Sequence, residues 1–339
     1  MDNKTKRDPG IDLIKMVAIF CVIVIHVSAP GYTRAGFDFY ASVFWGSLTR
    51  MAVPLFFMCS GALLLDPERD FDAGRFFKKN FLRLLLALFF WAAAYKLGHL
   101  VMRGGLSSAG IVNALKELVL FRHEGHLYYL HIMLLLYAFI PVLRVLTAHA
   151  GRGTLLWLLA LWALTGIIYP TLRPFWPFTL LSGVPAQWMM NMTWASFGYA
   201  LLGHFMTKYP VKRAPGAILF AAGFAFTFGG TLIMSRGGLY EGFFEGMSVG
   251  VALQAMGLFA LLSGAEPRRT GLIRFVSRAS FCVYLVHIFV VYAAAKLGWS
   301  VLLLPCAVSI PLASLVVLAV SCGIWSVLSK IPFVRSYLI

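Results

Sequence analysis

Long apolar segments occur along the whole chain, and no polar stretch between them is long enough to form a separate soluble domain. A run of about 18 or more apolar residues crosses the hydrocarbon core of a bilayer as a helix, because only a helix satisfies its own backbone polar groups there. Ten such segments are found, at 11–29, 42–65, 81–102, 127–146, 154–171, 187–206, 214–234, 247–264, 275–296 and 300–328. The sequence therefore predicts an all-α polytopic membrane protein, with about ten transmembrane helices in one domain over residues 1–339.

The basic residues of the chain are distributed unevenly between its connections. Only 12% of the residues are charged, yet the formal net charge is +16 and the mean hydropathy is +0.82. Sixteen Lys and Arg residues fall in the connections on the side of the N-terminus, and six fall on the opposite side. By the positive-inside rule, both termini are predicted to be cytoplasmic. The excess of basic residues is then explained by the topology and by attraction to anionic lipid headgroups, so we expect no nucleic-acid partner.

The cysteines argue against a disulfide-linked or metal-binding protein, and the first apolar segment argues against a cleaved signal peptide. The five cysteines lie singly inside apolar segments, where neither a disulfide nor a metal site is expected, at Cys21, Cys59, Cys282, Cys306 and Cys322. The first segment contains Asp12 and Lys15 and ends without a small-x-small cleavage site, so it is interpreted as a retained helix rather than a signal peptide.

Two connections carry patterns of their own. Residues 103–126 include IVNALKELVLF, whose helical periodicity predicts a short amphipathic helix at the outer interface. The stretch TLRPFWPFTLLSGVPAQW is rich in proline and aromatic residues, as in a lip that borders a cavity. No internal repeat is visible, which weighs against a transporter built from inverted halves.

The segment DLIKMVAIFCVIVIHVS, residues 12–28, places ionisable side chains inside an apolar helix. Each such residue costs about 2.5–3.5 kcal/mol on insertion, so each is a functional candidate. Lys15 and His26 are eleven residues apart, which puts them on one face and about 16 Å apart along the axis. Asp12 lies one turn before Lys15 and can pair with it. Individually, Lys15 can snorkel to the interface and His26 can cap the helix end, but together they indicate a polar path along this helix.

The second segment contains RMAVPLFFMCSG, residues 50–61. Arg50 lies about two turns into the predicted helix, and no acid stands near it in sequence. Pro54 frees the carbonyl one turn earlier. Ser60 and Gly61 permit close approach of a ligand or of another helix, and helix packing is the simpler interpretation of these two residues.

The fourth segment opens with RHEGHLYYLHIMLLLYAFIPVLR, which gathers His123, Glu124, His126 and His131 at its outer edge. The His-x-x-His spacing resembles a zinc-ligand pattern only loosely, and we expect no metal. A polar, aromatic-lined rim for a sugar is the favoured interpretation.

The ninth segment contains SRASFCVYLVH, residues 277–287. Spacings of four and three place Ser280, Tyr284 and His287 on one helical face, which puts a second histidine inside the bilayer. A histidine that is hydrogen-bonded within the core is the alternative interpretation.

Four sequence blocks, in this order, resemble the integral-membrane acyltransferase family 3. They are the basic residue and histidine Lys15 and His26 separated by ten residues, VPLFFMCSGALLL from Val53, HLYYLHIMLLLYAFIPVL from His126, and SRASFCVYLVHIFVV. The chain differs from many members by lysine at position 15, where arginine is common, and by His131, where an aromatic residue is commoner. Its stand-alone form is most similar to the branch that O-acetylates enterobacterial surface glycans.

The resemblance implies a multi-pass enzyme of the bacterial inner membrane that transfers an acyl group, usually acetyl, from cytoplasmic acyl-CoA to a hydroxyl of a surface or lipid-linked glycan. The anionic CoA head is then expected on basic inner connections, and its pantetheine arm along the first helix. The residues expected to hold the donor are Lys15, Asp12, Arg75, Lys78 and Lys79.

The resemblance also suggests roles for the polar residues in the helices. His26 is expected to act as general base, with transient acylation of this histidine as an open alternative. Lys15 assists at the same site, and Arg50 or Ser60 stabilises the oxyanion. The residues expected to contact the acceptor are His126, His131, Tyr284 and His287. A transporter or flippase of a glycan or small polar substrate is the rival function, followed by a non-catalytic scaffold or sensor.

Overall fold

The computed structural model describes residues 8–102, 106–267 and 270–339, and every regular element within these ranges is a helix. The helices are α1 (Pro9–Ser28), α2 (Phe37–Thr49), α3 (Ala52–Leu64), α4 (Ala73–Met102), α5 (Ser108–Val119), α6 (Tyr128–His149), α7 (Arg152–Leu172), α8 (Met192–Lys208), α9 (Arg213–Met234), α10 (Val249–Leu262), α11 (Thr270–Lys296), α12 (Cys306–Leu328) and α13 (Pro332–Tyr337). Helices α4 and α7 each contain one wider turn, over Phe77–Phe81 and Ala163–Ile168.

Nine helical segments of the described chain are long and apolar enough to cross a membrane, which confirms the prediction of an all-α polytopic membrane protein. Helices α2 and α3 together form one of these segments, Phe37–Leu64. The segment predicted at 187–206 corresponds to α8, whose 17 residues are at the short end of the range for a transmembrane helix. The cytoplasmic placement of both termini stays a prediction. Six of the counted basic residues lie outside the described ranges, namely Lys4, Lys6, Arg7, Arg103, Arg268 and Arg269.

The second apolar segment differs from its predicted single helix over 42–65. It is interrupted at Arg50 and Met51, between α2 and α3. Pro54 has no backbone N–H for the carbonyl of Arg50, and its ring crowds that carbonyl, so the helix cannot continue regularly through this turn. The regular pattern resumes with the bond from Leu55 N to the Met51 carbonyl at 3.0 Å.

Helix α1 lies at the centre of the bundle and packs against α2, α3, α10, α11 and α12. Its side chains Ile14, Ile19 and Ile23 are fully buried in the core. Helices α3 and α8 also meet closely, because a Cβ on Gly61 would lie 1.8 Å from the Ala200 carbonyl oxygen. Small residues at such contacts let helix backbones approach in a bilayer. The bundle therefore holds the first, third and eleventh helices in fixed relation.

The predicted amphipathic helix is present as α5, with its apolar residues largely exposed: Ile111, Val112, Leu115 and Val119. An ion pair of 2.7 Å between Lys96 and Glu117 ties it to α4. The proline-rich connection forms only short helical turns, at Phe178–Leu180 and Val184–Gln187, and its role as a lip stays a prediction. All five cysteines are free and buried, as expected of packing residues.

Candidate active site

Three histidine rings from distant parts of the chain meet inside the bundle. His26 lies near the end of α1, His126 lies in the turn before α6, and His287 lies in α11. The ring centroid of His26 is 5.1 Å from that of His287 and 6.3 Å from that of His126, and the other two rings are 5.6 Å apart. We call these residues the histidine cluster. The structure thus brings together three of the histidines selected from the sequence.

Tyr284 and Tyr95 contact the histidine cluster. The Tyr284 hydroxyl donates a hydrogen bond to the backbone carbonyl of His126. The ring of Tyr95 packs edge-on against His126 at 4.8 Å, and its hydroxyl donates to the Leu285 carbonyl at 2.8 Å. These two hydrogen bonds join α4 and the turn before α6 to α11, beside the cluster. Tyr284 lies on the same face of α11 as His287, as its spacing predicted, with ring centroids 6.1 Å apart.

The His287 ring is fully buried and anchored at one nitrogen. Its Nδ1 lies 2.7 Å from the carbonyl oxygen of Tyr284 and 3.1 Å from that of Val283, so Nδ1 is the donor. Within the described part of the chain, the Nε2 atoms of His287 and His126 are buried and have no hydrogen-bond partner. Buried polar atoms are usually paired, so each exception requires an explanation, and a catalytic role is one such explanation.

His26 borders a cavity of about 190 Å³, which we call the His26 cavity. The cavity wall is mostly apolar and includes Pro30, Ala313 and Val317, with Trp299 and Ser300 at its exposed side. The His26 ring is only partly buried and makes no hydrogen bond to any residue that the structure describes. Its ring nitrogens are therefore free to act on a ligand.

Lys15 borders a second cavity, of about 300 Å³, which we call the Lys15 cavity. Two further cations, Arg83 and Arg278, line it. Polar side chains and three tyrosines also line it: Ser60, Asn80, Ser277, Ser280, Tyr129, Tyr137 and Tyr284. Since Tyr284 also contacts His126 and His287, and His26 borders the other cavity, the histidine cluster adjoins both the Lys15 cavity and the His26 cavity.

The basic residues predicted to hold the donor head group meet in a third space, the basic cavity, of about 720 Å³. Its wall includes Arg75, Lys78, Lys79 and Arg335. Arg83 lines both the basic cavity and the Lys15 cavity, so the two are adjacent. A chain of cations therefore leads from the surface to Lys15.

Asp12 is buried at the contact between α1 and α11, where it accepts a hydrogen bond from the Ser277 hydroxyl at 2.6 Å. Ser277 itself lines the Lys15 cavity. The position of Asp12 thus fixes the helix that carries Lys15 against the helix that carries His287.

Arg50 and Ser60, the two residues predicted to stabilise the oxyanion, lie at different places in the bundle. The Arg50 guanidinium lies 4.0 Å from the ring centre of Phe244 and donates to the Tyr32 hydroxyl at 3.4 Å. Its Nε is buried and unpartnered among the described residues. Ser60 instead lines the Lys15 cavity and donates its hydroxyl to the Phe56 carbonyl at 2.9 Å. The two candidates therefore have no neighbour in common among these contacts.

His131 is separated from the cluster. Its Nε2 lies 3.1 Å from the Nδ1 of His123, and the two rings stack with centroids 5.1 Å apart. Neither ring contacts His26 or His287 in the described part of the chain. Across residues 8–102, 106–267 and 270–339, no group of three or more His, Cys, Asp or Glu side chains could hold a metal ion.

The structure adds residues that the sequence interpretation missed. Arg83 lies inside the third apolar segment, and an arginine at such a position could have been selected from the sequence as a functional candidate. Arg278 and Tyr129 stood inside quoted sequence blocks but were not selected. Tyr95 had no local signal, because its contact with His126 joins helices far apart in sequence.

A family comparison connects this geometry with a known group of proteins. The acyltransferase domain model of acyltransferase family 3 matches residues 8–329, a range that contains all three cavities except residues 335–337 of the basic one. No curated protein and no solved structure gives a significant match. The match confirms the resemblance carried by the four sequence blocks. With its helices, its three cavities and this match, the chain belongs to acyltransferase family 3 and is a multi-pass membrane acyltransferase.

Proposed function

We propose that the protein transfers an acyl group, acetyl in the first instance, from cytoplasmic acyl-CoA to a hydroxyl of a cell-surface or lipid-linked glycan at the bacterial inner membrane. One observation carries this proposal. An imidazole without a hydrogen-bond partner among the described residues, that of His26, lies between a cavity lined by cations and a cavity open on the far side. That arrangement suits a donor and an acceptor that approach from opposite sides.

The donor is proposed to enter through the basic cavity. Its phosphates bind the cations Arg75, Lys78 and Lys79, because arginine and lysine are the side chains that bind phosphate in proteins. The pantetheine arm then passes Arg83 and lies in the Lys15 cavity, where Lys15 contributes a point charge rather than a bidentate fork. Asp12 supports this site through its bond to Ser277 and needs no contact with the donor.

The chemical step is proposed to centre on His26. Its free ring nitrogen takes the proton of the acceptor hydroxyl while the hydroxyl oxygen attacks the thioester carbonyl carbon. The negative charge that develops on the carbonyl oxygen is stabilised in this proposal by Arg50, whose Nε is buried and has no partner among the described residues. The carbon–sulfur bond then breaks, and the same proton passes from His26 to the sulfur, so that CoA leaves as the thiol. Ser60 keeps its hydroxyl on Phe56 and takes no part in this step.

The acceptor is proposed to reach His26 from the His26 cavity. The ring of His126 adjoins that of His26, and its unpartnered Nε2 can accept a hydrogen bond from a sugar hydroxyl that reaches past His26 into the histidine cluster. Tyr284, which lines the Lys15 cavity, fixes His126 by donating a hydrogen bond to its backbone carbonyl. His131 is engaged with His123, so it contributes to the rim rather than to the reacting hydroxyl.

The test is a donor assay with purified protein in liposomes. Free CoA should be released from acetyl-CoA only when a lipid-linked glycan fraction is present, and mass spectrometry should find the ester on the glycan. A transporter, the rival function, would move the glycan unmodified and release no CoA. Unmodified movement without CoA release would overturn the proposal.

Direct transfer and transient acylation of His26 differ in one measurement. With radiolabelled acetyl-CoA and no acceptor, direct transfer leaves the protein unlabelled after rapid quenching. A label that is lost on adding acceptor would show an acyl-histidine intermediate instead.

A further inference from the structure

His287 has a fixed tautomer and an unused acceptor. Its Nδ1 faces two backbone carbonyl oxygens, those of Tyr284 and Val283, and a carbonyl oxygen can only accept. The proton of the neutral ring is therefore on Nδ1, and Nε2 carries a lone pair. This Nε2 is buried, and no described residue donates to it. Leaving a buried acceptor unpaired costs about 1–3 kcal/mol, so the atom requires an explanation.

Among the described histidines, the one whose ring centroid lies closest to that of His287 is His26. The two ring centroids are 5.1 Å apart, and the planes are tilted by 48°. His26 makes no hydrogen bond within the described part of the chain, so its ring is free to rotate toward His287. The ring of His126 is less suited to a fixed role, because it lies 6.3 Å from His26 and none of its ring nitrogens is hydrogen-bonded to a described residue.

We propose that His287 is the positioning residue of His26: its Nε2 accepts the N–H of the His26 ring during turnover. This inference rests on the proposed function of His26 as general base. One nitrogen of His26 donates to His287, so the other nitrogen carries the lone pair that receives the hydroxyl proton. After that transfer, the imidazolium keeps its hydrogen bond to a neutral acceptor in a buried site. His287 itself neither gains nor loses a proton.

Two other roles for His287 make different predictions. If it only fills space in the core, an apolar ring of similar size replaces it better than a polar amide, since the site is fully buried. If it binds the acceptor, its replacement raises KM for the glycan and changes kcat little. A positioning role requires an acceptor atom at this place and acts on kcat.

The test compares His287→Gln with His287→Phe in the liposome assay. The glutamine side chain supplies an amide oxygen that can accept from His26, whereas phenylalanine keeps the ring and removes the acceptor. We expect His287→Phe to lower kcat by about 100-fold, less than the loss of about 10⁴-fold known for an orienting aspartate, because His287 is a neutral acceptor. His287→Gln should keep at least about tenfold more activity than His287→Phe, with both KM values within about twofold of wild type.

His204 offers a matched control. It is a buried histidine of α8 whose Nε2 is also unpartnered among the described residues, and it makes no ring contact with the cluster there. His204→Gln and His204→Phe should not show the higher kcat of the glutamine variant over the phenylalanine variant that is expected at position 287. Equal activity of the two position-287 variants, a more active phenylalanine variant, or a higher KM for the glycan at unchanged kcat would each overturn the inference.

A second measurement covers the case in which the position-287 variants do not fold. In wild-type protein with nitrogen-15-labelled histidine and saturating acetyl-CoA, without glycan, the His26 ring should show one tautomer, because the donor-bound site is set for turnover and His287 then fixes the N–H of His26. A mixture of both tautomers would overturn the inference. Failure of the proposed function is recognised separately, because wild-type protein would then release no CoA from acetyl-CoA in the presence of glycan.

Discussion

The Lys15 end and the His26 end of α1 are built from different chemistry. Around Lys15, cations and hydroxyl groups line a cavity, and Asp12 is hydrogen-bonded to Ser277. Around His26, the polar groups of the cluster are imidazoles, two of them with buried nitrogens that lack a partner among the described residues, and the adjoining cavity is mostly apolar. The first region suits the binding of an anion by charge, and the second suits proton transfer away from water.

The difference follows from what a bilayer tolerates at each depth. A lysine near a helix end can extend its charge toward the interface, so it costs little there. Farther along the helix an ion is expensive, whereas a neutral imidazole is tolerated and can still accept a proton. In the proposed mechanism, one helix thus presents a charge for binding at one end and a base for chemistry at the other, about 16 Å apart at 1.5 Å per residue.

The largest effect is expected from His26→Ala. Loss of the general base should lower acyl transfer by a factor on the order of 10²–10⁴, while the affinity for acyl-CoA stays unchanged. The measurements are CoA release with glycan present and equilibrium binding of acyl-CoA in detergent. His204→Ala, at a buried histidine outside the cluster, serves as the control and should retain activity. Near-normal turnover of His26→Ala would remove this residue from catalysis.

Lys15→Ala should produce the opposite pattern. Removing one charge that contacts the donor should weaken acyl-CoA binding by about 10- to 100-fold, as expected for a hydrogen bond to a charged group. Thermal unfolding in detergent should change little, because Lys15 is only partly buried and borders a cavity.

Lys96→Ala is the matched control for Lys15→Ala. Lys96 also lies in a helix, but it pairs with Glu117 at 2.7 Å and lines none of the three cavities described above. Its removal should leave the donor affinity unchanged. Equal affinities for acyl-CoA in wild type and Lys15→Ala would contradict the assignment of Lys15 to the donor site.

A smaller effect is expected from replacing Arg75, Lys78 and Lys79 together by alanine. These side chains line an open cavity near the surface, where salt screens charges over about 8 Å at physiological ionic strength. The variant should bind acyl-CoA several-fold more weakly at low salt and should lose most of the salt dependence of binding. Maximal turnover at saturating donor should be retained. A control that replaces Lys212 and Arg213 should bind as wild type does, and an unaltered salt dependence in the triple variant would argue against this entrance.

The sequence was informative about each helix and about spacing within one helix. Lys15 and His26 were correctly placed on α1, and Tyr284 and His287 on one face of α11, because both relations depend only on helical periodicity. Contacts between helices could not be derived in this way. The contact of Tyr95 with His126 and the meeting of three histidines depend on how distant segments pack. The pairing of His131 with His123 depends on the turn Gly125–Leu127 that lies between them.

The smallest effect concerns α5, at the periphery of the histidine-rich region. A hydrogen bond from Lys96, together with its charge, lowers the pKa of Glu117 below its ordinary value of 4.5. Because the pKa is lower in the folded state, the pair stabilises the docking of α5 at pH above 4.5 and loses this contribution as pH falls through the lowered value. Amide hydrogen exchange of residues 108–119, corrected for intrinsic rates, should therefore increase modestly between pH 6 and pH 3, since the pair is partly exposed. Glu117→Gln should exchange at pH 6 as wild type does at low pH. If wild-type exchange in α5 is the same at both pH values, the ion pair does not hold this helix, and the apolar contacts of α5 alone determine its docking.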